Sequence, residues 1–201
     1  MNRLSVATVV APASLPPMAG ETGSMNKLSV ATAWLDGCSG CHMSFLDLDE
    51  RLVDLARYLD ILYSPLVDAK HLPERVDVGI LEGSVSNADD LRQAQAFRDR
   101  CRILISLGDC AVNGNVPSMR NPYPLAAVLD RAYRENVTLQ PQVPRVGVPA
   151  LLPRVRPLHE VVAVDVFVPG CPPPADAIFY VLSELIAGRT PDSTQVTRFG
   201  A

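Results

Sequence analysis

Long apolar runs are missing from this sequence. No stretch approaches the roughly 18 residues that a membrane-spanning helix requires, so no membrane span is expected. An excess of one charge is missing too. A net charge of −4 offers neither nucleic acid nor an anionic membrane a basic surface to bind. There is no second Cys-x-x-Cys knuckle, which tells against a four-cysteine zinc site. Histidine is scarce, and the three present do not form a cluster. The opening segment MNRLSVATVVAPASLPPMAG lacks a basic start and a twin arginine, and Ser, Thr and Pro interrupt its apolar stretch. It does not read as a secretory leader, so a cytoplasmic protein is expected.

What is present describes a globular α/β protein. The 201 residues are 48% hydrophobic and 20% charged, enough to fill one α/β domain with a long excursion. Short β-branched runs at 27–33, 60–64, 76–81, 102–107 and 161–168 predict strands. Helices are expected over 43–58, where Phe45, Leu48, Leu52 and Leu55 recur at helical spacing, over 88–100 behind an Asn87 cap, and over 175–187. Alternation of this kind implies a parallel sheet with helices on both faces, and a flavodoxin-like five-stranded order is the favoured topology. Residues 111–160 break the rhythm. They are proline-rich, carry one helix near 125–135, and are too long for an ordinary connection, so they read as an excursion serving a partner surface before the last strand. Residues 1–8 and 25–32 are near copies, MNRLSVAT and MNKLSVAT. Residues 1–24 are expected to be a flexible extension, and 25–201 a single flavodoxin-like domain.

The five cysteines are an odd count, which disfavours a pure disulfide framework. Cys101 opens a strand and reads as a small buried hydrophobe. The other four follow strand ends. Cys38 and Cys41 form Cys-Ser-Gly-Cys, Cys110 ends Ile-Ser-Leu-Gly-Asp-Cys, and Cys171 sits in Val-Pro-Gly-Cys-Pro-Pro-Pro. Open α/β sheets place ligands beyond the carboxyl ends of their strands, so three loops would deliver four thiolates to one crevice. Four thiolates are the complement of a [4Fe–4S] cluster. A lone Cys-x-x-Cys would read as a thioredoxin-like redox pair, but that leaves Cys110 and Cys171 without a role. Gly37, Gly108 and Gly170 stand beside the cysteines, where backbone must approach a bulky group. Glu82 ends an apolar strand in the same crevice, and Glu50 would reach it from one or two turns along the first helix; both are candidate proton relays. The loop after the first strand, Trp34–Cys38, lacks the hydroxyl run that a flavin phosphate needs, so FMN is not expected there.

The segments CSGCHMSFLD, LEGSVS, GDCAVNGNVPSMRNP and VPGCPPP resemble the small subunit of [NiFe] hydrogenases over residues 27–188. The resemblance implies that Cys38, Cys41, Cys110 and Cys171 ligate the [4Fe–4S] cluster proximal to a Ni–Fe centre carried by a separate large subunit. With no twin-arginine leader and no domain for further clusters, the chain looks like the short form found in soluble bidirectional hydrogenases. That form implies diaphorase partners carrying flavin and iron–sulfur centres, and the reaction H2 + NAD+ ⇌ NADH + H+. Many relatives carry an acid two residues after the Cys-x-x-Cys, where this chain has Met43. The related cluster-bearing subunit of respiratory complex I typically shows adjacent cysteines in place of Cys-x-x-Cys.

Overall fold

The structure, a computed structural model, describes residues 27–197. The expected flexible segment 1–24 and its repeat of the 25–32 motif therefore lie wholly or partly outside the described residues. Five parallel strands form the main sheet: β1 (Leu28–Trp34), β2 (Leu59–Tyr63), β3 (Val76–Glu82), β5 (Cys101–Leu107) and β7 (Val166–Val168). Their spatial order is β2-β1-β3-β5-β7, the doubly wound 2-1-3-4-5 arrangement that the alternating pattern predicts. The central strands read as nearly continuous apolar runs because both of their faces are covered.

On one face, Val30, Val78, Ile80, Ile105 and Val168 pack beneath Phe45, Leu48, Ile178, Phe179 and Leu182. Those five side chains come from α1 (Gly40–Leu46), the turn after it, and α6 (Ala175–Ile186). On the other face, Ala31, Ala33, Leu81 and Leu104 pack against Ala94 and Phe97 of α3 (Ala88–Arg100). Helix α3 starts where the sequence places it. Asn87 Oδ1 accepts the N–H groups of Asp89 and Asp90, at 2.8 and 3.0 Å, and the Asp90 carboxylate accepts the Asn87 N–H in return. Such a box satisfies otherwise orphaned donors of the first turn. Gly79 in mid-β3 has a packing cause: a Cβ there would lie 2.6 Å from Cys101 Sγ. Cys101 is buried as expected, and burial pushes its thiol up to about 11.

Three elements differ from the sequence expectation. The single helix over 43–58 is two short ones, α1 and α2 (Arg51–Leu55), separated by a turn in which Asp49 takes a φ of 51°. Leu48 and Leu55 are both buried, so the apolar spacing reports the buried face while the backbone turns between them. The last strand is short: residues 158–160 form a 3-10 turn and only Val166–Val168 pair with β5. The excursion contains α4 (Asp109–Asn113) at its start, then α5 (Leu125–Asp130) running into a π-helical turn at Arg131–Glu135, and β6 (Leu151–Arg156). Strand β6 returns to pair antiparallel with β4 (Val85–Asn87). Asn121 ties it down by accepting the Val155 N–H at 2.8 Å and donating to the Val155 carbonyl at 2.9 Å.

Candidate functional site

The carboxyl ends of β1, β3, β5 and β7 surround a cavity of about 80 Å³ lined by Cys38, Cys41, Cys110 and Cys171, with Gly37, Glu82, Asp109 and Gly170 among them. Two roomier hollows exist, one beside Trp34 and Tyr63 and one beside Arg154 and Arg156, but neither contains a cysteine. Donor chemistry, not size, therefore marks the site.

Each thiol is placed by a local device. After β1 the chain is bridged to the next loop, with Asp36 and Ser84 exchanging backbone hydrogen bonds of 3.1 and 2.8 Å. The backbones come so close there that a Cβ on Gly37 would lie 3.3 Å from the Gly83 Cα. Ser39 then takes a left-handed φ of 63° and sets Cys41 in the first turn of α1. At the end of β5, Gly108 has a φ of 81°, and a Cβ on it would collide with the Cys41 sulfur. Only glycine meets both demands. The Cys110 and Cys171 loops are joined by Asp109 and Gly170, and a cis bond precedes Pro172.

Cys38 and Cys171 are exposed, Cys41 and Cys110 half-buried. Burial pushes the Cys41 thiol well above the usual range, and the Glu82 carboxylate beside it adds to the rise, as do Cys110 and Cys38. Cys110 is pushed up by burial, then by Cys171 and Cys38. Thiols from all three loops are thus close enough to resist one another's ionisation. A cation binding among them would reverse that, because a coordinated thiol is deprotonated.

Glu82 is 2% exposed. Its Oε2 accepts the His42 N–H at 2.8 Å, and its Oε1 has no partner. His42 is equally buried. Its Nε2 lies 2.9 Å from Thr32 Oγ1, which donates to Ser64 Oγ at 2.8 Å. Nδ1 lies 3.2 Å from Glu82 Oε2 but lacks the alignment of a hydrogen bond. His42 thus packs behind Glu82, with Trp34 edge-on at 5.5 Å. Sequence reasoning gave it no such depth, because its two partners sit on β1 and β3.

Glu50 is not at the site. It is exposed at the head of α2 and does not line the cavity, and a turn at Asp49 stands where a continuous helix is expected. Met43 is exposed as well, and His159 packs edge-on against Phe167. Asp109 and Asn115 were missed as contributors. Asn115 donates from its side-chain amide to Cys171 Sγ at 3.3 Å. The Asn-Gly-Asn run directly after the Cys110 segment was the available signal, since such residues accept left-handed turns.

The donor set can be tested for fit. Among the described residues, no three His, Cys, Asp or Glu side chains are spaced to hold a single metal ion. Four soft thiols lining one cavity are the donor complement of an iron–sulfur group.

Comparison with known proteins agrees with this chemistry. A family profile described as NADH ubiquinone oxidoreductase, 20 Kd subunit, matches residues 38–185. The delta subunit of the NAD-reducing hydrogenase HoxS of Cupriavidus necator is 46% identical over 168 residues, 81% of this chain and 80% of the relative. A component of the F420-non-reducing hydrogenase of Methanothermobacter marburgensis is 39% identical, and there the chain spans only 54% of the relative's length. Among solved structures, an NAD+-reducing [NiFe]-hydrogenase in the H2-reduced state aligns with a TM-score of 0.82 at 39% identity, covering 87% of this chain and 99% of that one. A Ni-Fe-Se hydrogenase of Desulfomicrobium baculatum shares the fold alone, with a TM-score of 0.52 at 16% identity. The chain belongs to the NADH ubiquinone oxidoreductase 20 Kd subunit family and, within it, to the delta subunits of NAD-reducing hydrogenases.

Proposed function

We propose that Cys38, Cys41, Cys110 and Cys171 hold one [4Fe–4S] cluster, and that the chain is the electron-transfer small subunit of a cytoplasmic [NiFe] hydrogenase catalysing H2 + NAD+ ⇌ NADH + H+. The observation that carries this reading is the convergence of four thiols from three strand-end loops at one cavity. Such a cluster supplies one-electron transfer at low potential. Its place would be between a Ni–Fe centre in a large subunit and an NAD-linked diaphorase module.

The chain's own residues provide the holding. The thiols give up their protons on binding, the glycines at 37, 108 and 170 admit the group, and Glu82 fixes the start of α1 through the His42 N–H. Glu82 also remains the candidate proton relay, since its Oε1 is buried and unpartnered; Glu50 is exposed and does not line the cavity. Partners fit the exposed apolar residues of the excursion, among them Val116, Met119, Tyr123 and Leu139, and the open side of the site at Cys38 and Cys171. FMN is not expected in this reading, because the Trp34–Cys38 loop lacks the hydroxyl run of a phosphate cradle.

The family profile's description favours one second reading, a quinone-linked subunit related to complex I. The Ser-Gly spacer between Cys38 and Cys41 argues against it, as the complex I relatives typically carry adjacent cysteines. Anaerobic co-purification through a tag on this chain, with metal analysis and assays of H2-dependent reduction, separates the two. Nickel with iron and NADH formation supports the hydrogenase. Iron without nickel, or activity with quinone alone, supports the second reading, and reduction of another carrier in place of NAD+ would reassign the diaphorase partner. Zinc as the sole metal would end the cluster reading.

A further inference from the structure

Asn115 holds an unusual backbone position beside the site. Its φ of 31° and ψ of −131° lie outside the regions open to most L-residues. Three contacts keep it there. Its N–H donates to Asn113 Oδ1 at 2.9 Å, and its carbonyl accepts from Ser118 Oγ at 2.8 Å and from the Ser118 N–H at 3.1 Å. Gly114, with a φ of 88°, turns the chain out of α4 immediately before it. The result is that the side-chain amide points back over the cavity, with Nδ2 3.3 Å from Cys171 Sγ. Against a ligating, deprotonated sulfur only the amide nitrogen can make a hydrogen bond, since Oδ1 and the sulfur are both acceptors.

We propose that Asn115 tunes the reduction potential of the group bound by these thiols, by donating its side-chain amide hydrogen to the Cys171 sulfur. This rests on the cluster reading above. An N–H donor on a ligand sulfur stabilises the more negative, reduced state over the oxidised one, and so raises the potential. The bland account is that Asn stands at 115 because it tolerates a positive φ. The two differ in what glycine would do. Glycine keeps the backbone and removes the donor, whereas aspartate keeps the shape and replaces the donor with a carboxylate oxygen.

The test is a potentiometric titration of the purified hydrogenase complex, followed by the EPR signal of the reduced cluster, for the wild type, Asn115→Gly and Asn115→Asp. Loss of the donor in Asn115→Gly is expected to make the cluster about tenfold harder to reduce, a downward shift of about 59 mV for one electron. Asn115→Asp is expected to shift further in the same direction. Loss of an exchangeable-proton coupling to the cluster should accompany both. Wild-type potentials in both variants at unchanged iron content would overturn the inference alone. Iron loss in Asn115→Gly would overturn it too, by assigning the side chain to holding the loop. A wild-type complex with no four-iron signal would overturn the cluster reading beneath it.

Discussion

Asp109 and Gly170 exchange two hydrogen bonds: the Asp109 N–H donates to the Gly170 carbonyl at 2.8 Å, and Asp109 Oδ1 accepts the Gly170 N–H at 2.7 Å. These residues directly precede Cys110 and Cys171, so the pair acts as a clasp between two loops that are far apart in sequence. A bond to a charged acceptor contributes about 1.5–3 kcal/mol. Asp109→Ala should therefore lower stability by about that amount and reduce the iron retained on purification. Asp109→Asn keeps an acceptor oxygen and should lose much less. Urea unfolding and iron analysis of the two variants check this, and equal losses would show that the acceptor is irrelevant.

Replacing the cysteines one at a time separates ligands from packing. Cys38→Ser, Cys41→Ser, Cys110→Ser and Cys171→Ser should each abolish or convert the iron–sulfur spectrum. Cys101→Ala should leave it intact, with a stability loss of about 1 kcal/mol for the small hydrophobe removed. An unchanged spectrum in any of the first four would strike that residue from the ligand set.

Two glycines with similar positive φ differ in what an added Cβ would meet. Gly108 has a φ of 81° and Gly188 a φ of 72°, but only at Gly108 does an added Cβ meet the Cys41 sulfur. Gly188→Ala should cost about 1–2 kcal/mol from the left-handed backbone alone and keep its iron. Gly108→Ala should lose the iron as well. Iron content per chain decides, and a normal content in Gly108→Ala would mean that the loops can part.

Acid should weaken the protein through two aspartates, Asp77 of β3 and Asp165 just before β7. Burial disfavours the charge on Asp77 and on Asp165, yet both are held below the ordinary 3.8. Ser29, with its N–H and hydroxyl, and Arg102 outweigh burial at Asp77; Arg98 and the Leu104 N–H do so at Asp165. A carboxylate with a depressed folded pKa contributes stability that is present above its unfolded value and lost as the pH falls through the folded one. The unfolding midpoint should therefore begin to drop near pH 4 and continue falling below it. The double variant Asp77→Asn, Asp165→Asn should show a shallower decline there, and a profile parallel to wild type would exclude these two groups as the cause.

Much of this architecture is legible in the sequence, for reasons that differ by element. The buried central strands are uniform apolar runs, and Asn87 with Asp90 spells out its own cap, so β3, β5 and α3 are found close to their observed bounds. The thiols are legible because cysteine is rare and each of the four follows a strand. Elsewhere the decisive information is not local. Apolar spacing across 43–58 cannot reveal that Asp49 adopts a positive φ, because Leu48 and Leu55 reach the core either way. Strand β4 is only three residues long and exists because β6, distant in the chain and carrying Pro153 and two arginines, returns to it. The depth of His42 follows from the meeting of Thr32 and Glu82 across β1 and β3. Glu82 is recognisable as an acid ending an apolar strand, whereas the absence of Glu50 from the site depends on the turn that precedes it.

The distribution of thiols over the first, fourth and fifth strands of the sheet has a consequence for biosynthesis. Cys38 and Cys41 leave the ribosome early, and Cys110 follows with β5, but the fourth sulfur emerges only with the strand that closes the sheet's edge. On the proposed ligand set, no product that stops short of β7 can complete the iron site. Such a product would also leave the β5 edge unpaired, and an open edge invites misassociation. Iron loading thus becomes a mark of a finished chain, readable by whatever machinery delivers the metal or removes the failures.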